Sequence, residues 1–472
     1  MLLLVSTGVF MSTMDSSMVN VALPTLMKVF SSSLAATEWV ILVYLLTITV
    51  TLLFWGYFSN SFGQGTVYRR GVLIFSLGSL LCSLAPTIVS LILFRLVQAV
   101  GASMMMAMGP ALIKSSYPSG KLGQGLGLVG IATSLGLMSG PVVSGLLLRW
   151  VHWRFIFLVT VPAGIILYLA GARLLDGPGR PGRQDAGFAK PFDRAGGALY
   201  VAAVILTVLS LSHATRSCCQ WSDMAVARIA LPALFWFLFI LRELHVAAPL
   251  LPVRLFASRF YAVAMVCAML SFVVLFFVLL LIPFYLSKVR GYPPDQVGWY
   301  MMAVPLCVFF VAPLAGHLHD RFGARIIATL GLLLCLVSLL LLTGLAADSD
   351  PFFTVISLAL LGFGQAMFLA PNSASALSGV SHDKSGITSS LLATSRNMGM
   401  LLGTALAGYV FAHRYGSLTG GMDIRDFVPA HTPAFLRALR ETFQVGAVLA
   451  ALALVLSAMR GNSGHGHSEQ VT

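Results

Sequence analysis

Gly56-Tyr57-Phe58-Ser59-Asn60-Ser61-Phe62-Gly63 returns 260 residues later as Gly316-His317-Leu318-His319-Asp320-Arg321-Phe322-Gly323. Gly136-xxx-Gly140-xxxx-Gly145 returns as Gly399-xxx-Gly403-xxxx-Gly408, at an offset of 263. Two motifs repeated at nearly one spacing indicate a duplicated unit, and such repetition constrains the architecture before any local signal does. Each motif holds the same place in its copy. The octapeptide follows the second apolar run of a half, and the glycine series lies in the fifth. The chain carries fourteen apolar runs of about 20 residues, the length that crosses a bilayer as a helix. Runs 1–6 and 9–14 are the two copies, and runs 7 and 8 stand between them. Parallel six-helix repeats with a substrate site at their interface are a transporter plan.

Composition agrees with a membrane protein. Of the 472 residues 58% are hydrophobic and 10% charged, with a mean hydropathy of +0.90. A soluble domain carries roughly 25% charged residues. The formal net charge is +13, but the 29 Lys and Arg are spread along the chain with no basic block interleaved with aromatics. That pattern reads as membrane topology and excludes a nucleic-acid-binding face. The six cysteines form no disulfide framework, since Cys82, Cys267, Cys307 and Cys335 lie in apolar runs. Met1 opens directly into an apolar run, which reads as a spanning helix and not as a signal peptide.

The expected organisation is an N-terminal six-helix bundle over 1–176, a loop over 177–194, two inserted helices over 195–243, a C-terminal six-helix bundle with its preceding loop over 244–459, and a tail over 460–472. With the N-terminus cytoplasmic, 16 Lys and Arg fall in inside loops and 11 outside, with Arg95 and Arg396 inside spans. The bias places both termini in the cytoplasm of a multi-pass protein of the inner membrane.

Asp15 is the one carboxylate read as deep within a span. It lies about 12 residues into the first run, or roughly 18 Å along a helix, near the middle of a hydrocarbon core about 30 Å thick. A charge there costs at least a few kcal/mol, so Asp15 must face a polar cavity or take up a proton, as a desolvated carboxyl does more readily. The plainer alternative is an Asp held by Ser12, Ser16 or Asn20 to pin helices together. Arg95 shares a helix face with Gln98, and it either acts on the proton site or snorkels to the headgroups. Glu38 stands near the outer end of the second run, in a wetter setting. Gly136, Gly140 and Gly145 clear one stripe for close helix approach, and Pro141 bends that helix. Gln365 and Asn372 are candidates for lining a cavity. Met104, Met105, Met106 and Met108 would suit an adaptable hydrophobic pocket, but the preferred reading is ordinary lipid-facing residues. His465 and His467 read as a tail without metal. There is no phosphate loop, no HExxH and no nucleophile arrangement, so neither an enzyme nor an ATP-driven pump is expected.

Met14-Asp15-Ser16-Ser17-Met18-Val19-Asn20-Val21-Ala22-Leu23-Pro24, Trp39 with Tyr44, Arg95-Leu-Val-Gln98 with Gly101, Gly136…Gly140-Pro141…Gly145 and Trp153-Arg154 follow one another in a fixed order. In that order they resemble the major facilitator superfamily, in its fourteen-span drug:proton antiporter branch. The resemblance covers nearly the whole chain. It implies an all-α major facilitator fold with two extra helices, and proton coupling through Asp15 and Arg95. It also implies a substrate cavity that includes Asn20, Tyr44, Gln98, Arg396 and Asn397, and an antiporter motif at Gly136, Gly140, Pro141 and Gly145. The cytoplasmic gate would be built from Gly56, Asn60, Gly63, Gly316, Asp320, Arg321, Gly323 and Arg325. Asn60 and Ser61 depart from the family, which has Asp and a basic residue there.

The expected activity is export of small lipophilic, cationic compounds in exchange for protons, by a monomer in the lipid bilayer. The proton gradient is the energy source, with no cofactor. A metabolite or lipid carrier on the same fold, as symporter or flippase, is the alternative. With a single deep carboxylate, a monocation should be preferred over a dication.

Overall fold

The computed structural model describes residues 2–116, 122–175, 193–213, 223–246, 250, 253–378 and 385–460. Among these residues the regular structure is entirely helical. The first half holds α1 (Leu2–Val29), α2 (Leu34–Phe62), α3 (Gln64–Ser83), α4 (Ile88–Ser116), α5 (Leu122–Trp150), and the short α6 (Phe155–Leu158) that leads into α7 (Thr160–Leu175). α8 (Arg194–His213) and α9 (Asp223–His245) form the insert. The second half holds α10 (Arg259–Phe284), α11 (Pro294–Met301) with α12 (Ala303–Phe322), α13 (Ala324–Leu342), α14 (Pro351–Ser378), α15 (Ser385–Thr419) and α16 (Thr432–Ala458). Ten helical segments among the described residues are long and apolar enough to cross a membrane; α3, α5, α9 and α15 are not among them.

The repeat read from the octapeptide is present in the packing. α1 packs on α5, α3 on α4 and α2 on α4; in the second half α10 packs on α15, α13 on α14 and α12 on α14. Small residues set these crossings, because apolar helices in lipid gain contact chiefly where backbones can approach closely. A Cβ placed on Gly136 would stand 2.7 Å from the Phe10 carbonyl oxygen of α1, and one on Gly140 2.9 Å from that of Met14. Their counterparts Gly399 and Gly403 press in the same way on Met269 and Val273 of α10. Gly71 faces Gly101 between α3 and α4, and Gly331 faces Gly364 between α13 and α14. These two pairs repeat at the same offsets of 260 and 263.

The third glycine of each series leaves its own bundle. Gly145 meets Pro294 and Asp295 at the start of α11, and Gly408 meets the carboxyl group of Glu38 at the start of α2. The two halves therefore cross through α5 on α11 and through α2 on α15. Polar contacts tie the same end. The Leu34 amide donates to Asp423 at 3.3 Å, Arg425 donates to the Ser31 carbonyl at 3.1 Å, and Arg149 stands 3.9 Å from Asp295.

The repeated octapeptide ends each time on a glycine that the backbone requires. Gly63, between α2 and α3, has φ 79°, and Gly323, between α12 and α13, has φ 80°. This is a conformation that side chains with a Cβ rarely adopt. Gly316 differs, because nothing lies within 4 Å of a Cβ built there.

The insert folds on itself and on the seam. Tyr200 of α8 stacks with Trp236 and Phe239 of α9, and its hydroxyl donates to the Thr49 carbonyl of α2 at 3.2 Å. Arg242 binds Asp193 through Nε and Nη2, with contacts of 2.8–3.0 Å, and these bonds hold the Asp193 carboxyl below its ordinary range. α8 also touches α15, so the insert rests against the α2–α15 crossing. Residues 177–192 of the expected loop and 461–472 of the tail lie outside the described residues.

Gly140→Val should lower thermal stability in detergent by about 1–3 kcal/mol, the usual cost of forcing bulk into a packed contact. Gly316→Ala should stay within about 0.5 kcal/mol of the parent. Thermal unfolding of the two variants side by side checks the packing.

Candidate functional site

Four helices of the first half bring polar side chains to one point inside the bundle. α1 supplies Asp15, α4 supplies Arg95 and Gln98 on one face, α3 supplies Ser79 and α2 supplies Tyr44. Arg95 Nη1 donates to Asp15 Oδ2 at 2.5 Å and to Gln98 Oε1 at 2.6 Å, and Nε donates to the Val40 carbonyl at 3.2 Å. Gln98 Nε2 donates to Asp15 Oδ1 at 2.8 Å and to Ser79 Oγ at 2.7 Å. Thr160 Oγ1 in turn donates to Ser79 Oγ at 3.0 Å. The Tyr44 ring lies under the Arg95 guanidinium at 4.0 Å, and its hydroxyl shares a hydrogen bond with Ser12 at 3.1 Å.

Burial decides how this cluster works. The side chain of Arg95 is 1% exposed and that of Asp15 0%. Arg95 therefore does not snorkel to a headgroup region, which removes that alternative. Isolating either charge in such a place costs several kcal/mol, and the ion pair with its added hydrogen bonds is what offsets it. Gln98 fits because an amide can donate and accept at once. Both oxygens of Asp15 are engaged, so the carboxylate ties α1 to α4 through Arg95 and Gln98.

This geometry changes several expectations. Asp15 was expected to meet a monocation in a polar cavity, but its oxygens already accept from Arg95 and Gln98, so a cation would first have to displace Arg95. Tyr44 and Gln98, assigned to the cavity, belong to the ion-pair cluster. Glu38, expected to be wet, is buried against Gly408 of the other half. The Met104, Met105 and Met108 side chains are buried in the bundle and do not face lipid. Ser79 was not anticipated; a serine within an apolar run was the one signal available.

The other cavity candidates divide. Asn20 is buried on α1. Gln365 donates to the Ser271 carbonyl at 2.7 Å and Asn372 to that of Ala264 at 3.0 Å, so both fasten α14 to α10 and do not line open space. Asn397 is buried and donates to the Ala393 carbonyl one turn back. Arg396 keeps part of its surface accessible and donates through Nη2 to Ser373 at 2.6 Å. Arg460, read as a tail residue, is buried; it donates to Asn372 Oδ1 at 2.7 Å and covers the Phe260 ring at 4.3 Å.

Of the expected antiporter motif, Gly136, Gly140, Pro141 and Gly145 are all buried, against α1 and then α11. Arg321 and Arg325 are exposed around Gly323. Gly56 and Asn60 lie in the α2 helix and Asp320 in α12, but the surroundings of these three fall outside the described residues. A lateral cleft of about 620 Å³ between α15 and α16, near Tyr409, His413, Arg414 and Glu441, is lined by those two helices alone.

Gln98→Leu removes a donor to Asp15 and Ser79 and an acceptor for Arg95 in one step. It should lower thermal stability by about 3 kcal/mol, the order expected when buried partners are left unsatisfied. Gln365→Leu, which forfeits one bond to a carbonyl, should cost less. Calorimetric unfolding of both variants makes the comparison.

Known proteins match the chain over most of its length. A model of the Major Facilitator Superfamily matches residues 5–291 and again 264–469, two overlapping stretches that together span nearly the whole chain. The riboflavin transporter RibZ of Clostridioides difficile is 32% identical over 457 residues, covering 97% of this chain and 96% of its own. The tetracenomycin C resistance and export protein of Streptomyces glaucescens is 29% identical over 95% of this chain and 82% of its own. The multidrug resistance protein Stp of Mycobacterium tuberculosis is 29% identical over 86% and 74%. Among solved structures, a bacterial homologue of the lysosomal transporter Spinster, inward-facing and unoccupied, superposes with a TM-score of 0.69 at 16% identity, over 97% of this chain and 96% of the other. With these two matches and this coverage, the chain belongs to the Major Facilitator Superfamily and is a multi-pass membrane transporter.

Proposed function

We propose that this transporter is a proton-coupled exporter of lipophilic compounds, of the fourteen-span type, acting as a monomer. It lies in the cytoplasmic membrane with both termini in the cytoplasm. The observation that carries the reading is the Asp15–Arg95–Gln98 cluster, a carboxylate locked to a guanidinium inside the first bundle. Protonation of Asp15 cancels the charge that holds Arg95 and loosens α1 from α4. α1 is pressed against α5 through Gly136 and Gly140, and the far end of α5 meets α11 of the second half at Gly145. A proton can thereby act on the crossing that must part when the site opens towards the α1–α2 end. Net flux follows the proton gradient, and no cofactor enters the cycle. Two relatives named for drug resistance or export favour this direction of transport.

A second reading, a carrier for a metabolite, is favoured by the relative named as a riboflavin transporter, which matches nearly end to end. Proteoliposomes with an imposed pH gradient separate the two. Ethidium, rhodamine 6G, fluorescein and riboflavin are presented in turn. The exporter reading expects dye accumulation that collapses when the gradient is dissipated. Riboflavin movement that ignores the gradient, with no dye transport, contradicts it and supports the carrier.

A further inference from the structure

The two halves treat their mid-helix arginines differently. Arg95 in the first half has its counter-ion, Asp15, and spends Nε and Nη1 on partners inside the bundle. Arg396 in the second half stands eleven residues into α15, roughly 16 Å from that helix's start. A guanidinium withdrawn from water is costly and calls for a partner. Among the described residues no carboxylate forms an ion pair with Arg396, and its Nε is buried with no hydrogen-bond partner. One bond, from Nη2 to Ser373, holds the side chain, while part of its surface stays open. The helix that carries it is the one that crosses to α2 of the first half and also touches α4. The first bundle thus holds a spent carboxylate, and the second a guanidinium with donors to spare.

We infer that Arg396, with Ser373 beside it, is the docking point for an anionic oxygen of the transported molecule, such as a carboxylate or a phenolate. A guanidinium presents planar, paired N–H donors to such a group, and charge-assisted bonds of this type are strong where water is excluded. Ser373 keeps the fork in place, and its own hydroxyl proton is spent on the Leu369 carbonyl at 2.6 Å. The ligand brings the counter-charge that the chain does not, and so its binding relieves the cost of the buried arginine. Cationic compounds of equal size meet the opposite balance and are disfavoured.

The inference names the substrate class of the transport site proposed above and rests on that reading, but its test needs no gradient. Fluorescein, anionic at pH 8, and rhodamine 123, a monocation on the same ring system, are titrated against purified full-length protein in nonionic detergent and followed by fluorescence anisotropy. The parent should bind fluorescein about tenfold or more tightly than rhodamine 123, the scale of one hydrogen-bonded charge pair. Arg396→Gln should abolish the difference, and Arg396→Lys should keep part of it, since a point charge replaces a fork. If Arg396→Gln does not elute as one folded species, Ser373→Ala takes its place and should weaken fluorescein a few-fold while leaving rhodamine 123 unchanged. A parent that binds fluorescein no more tightly than rhodamine 123, including one that binds neither, overturns the inference. Undiminished selectivity in whichever of these two variants is measured overturns it as well. Loss of gradient-driven transport with the dye preference intact would count against proton coupling and leave the anion site standing.

Discussion

A carboxylate and a guanidinium buried together, with less than a tenth of either accessible, bind the first bundle to one arrangement. Asp15 and Arg95 are costly alone and acceptable as a pair, so every helix that touches them is placed by the need to keep the pair intact. α2 contributes a carbonyl and the Tyr44 ring, α3 contributes Ser79, and α7 reaches the cluster through Thr160. The same interaction that fixes this arrangement offers a way out of it. In the proposed cycle a proton on Asp15 would remove half of the pair and free the bundle to take a second arrangement. A static bundle needs no such device, whereas a transporter that alternates does.

The glycine series connects that switch to the rest of the molecule. Its first two members hold α5 to α1 and α15 to α10 within the halves, and the third hands the contact across the seam. The symmetry is incomplete at the crossings. Where α5 meets α11 a glycine, Gly298, lies against the Pro141 carbonyl, but where α15 meets α2 the partner of Gly408 is the buried carboxyl of Glu38. Charge is also unevenly shared, with a neutralised pair in the first half and an open arginine in the second. Duplication gives the scaffold its symmetry, and the departures from it are where the halves acquire separate tasks.

Much of this was legible in the chain. The 260-residue recurrence of the octapeptide announced the two halves, and the glycines at 63 and 323 proved to be required by their backbone conformation. The mid-helix place of Asp15 and the shared face of Arg95 and Gln98 followed from helix arithmetic, because position along a helix is a matter of counting. Direction around the bundle is not. Tyr44 and Gln98 were assigned to a cavity, and Gln365 and Asn372 with them, because sequence reports polarity but not which neighbour a polar group meets. Glu38 illustrates the same limit. Its place near a helix end suggests water, yet the opposing surface is a glycine of a helix some 370 residues later in the chain,.

The central claim, that Asp15 and Arg95 act as one unit, is tested most directly by comparing Asp15→Asn, Arg95→Gln and the double variant in thermal unfolding and in gradient-driven transport. Each single change strands a buried charge or its hydrogen bonds and should lower stability by about 3–5 kcal/mol. The double variant should be less destabilised than the sum of the two by up to about 3 kcal/mol, a coupling of the size seen between residues in contact, yet remain unable to move substrate uphill. Additive destabilisation in the double variant, or uphill transport that survives Asp15→Asn, would contradict the account.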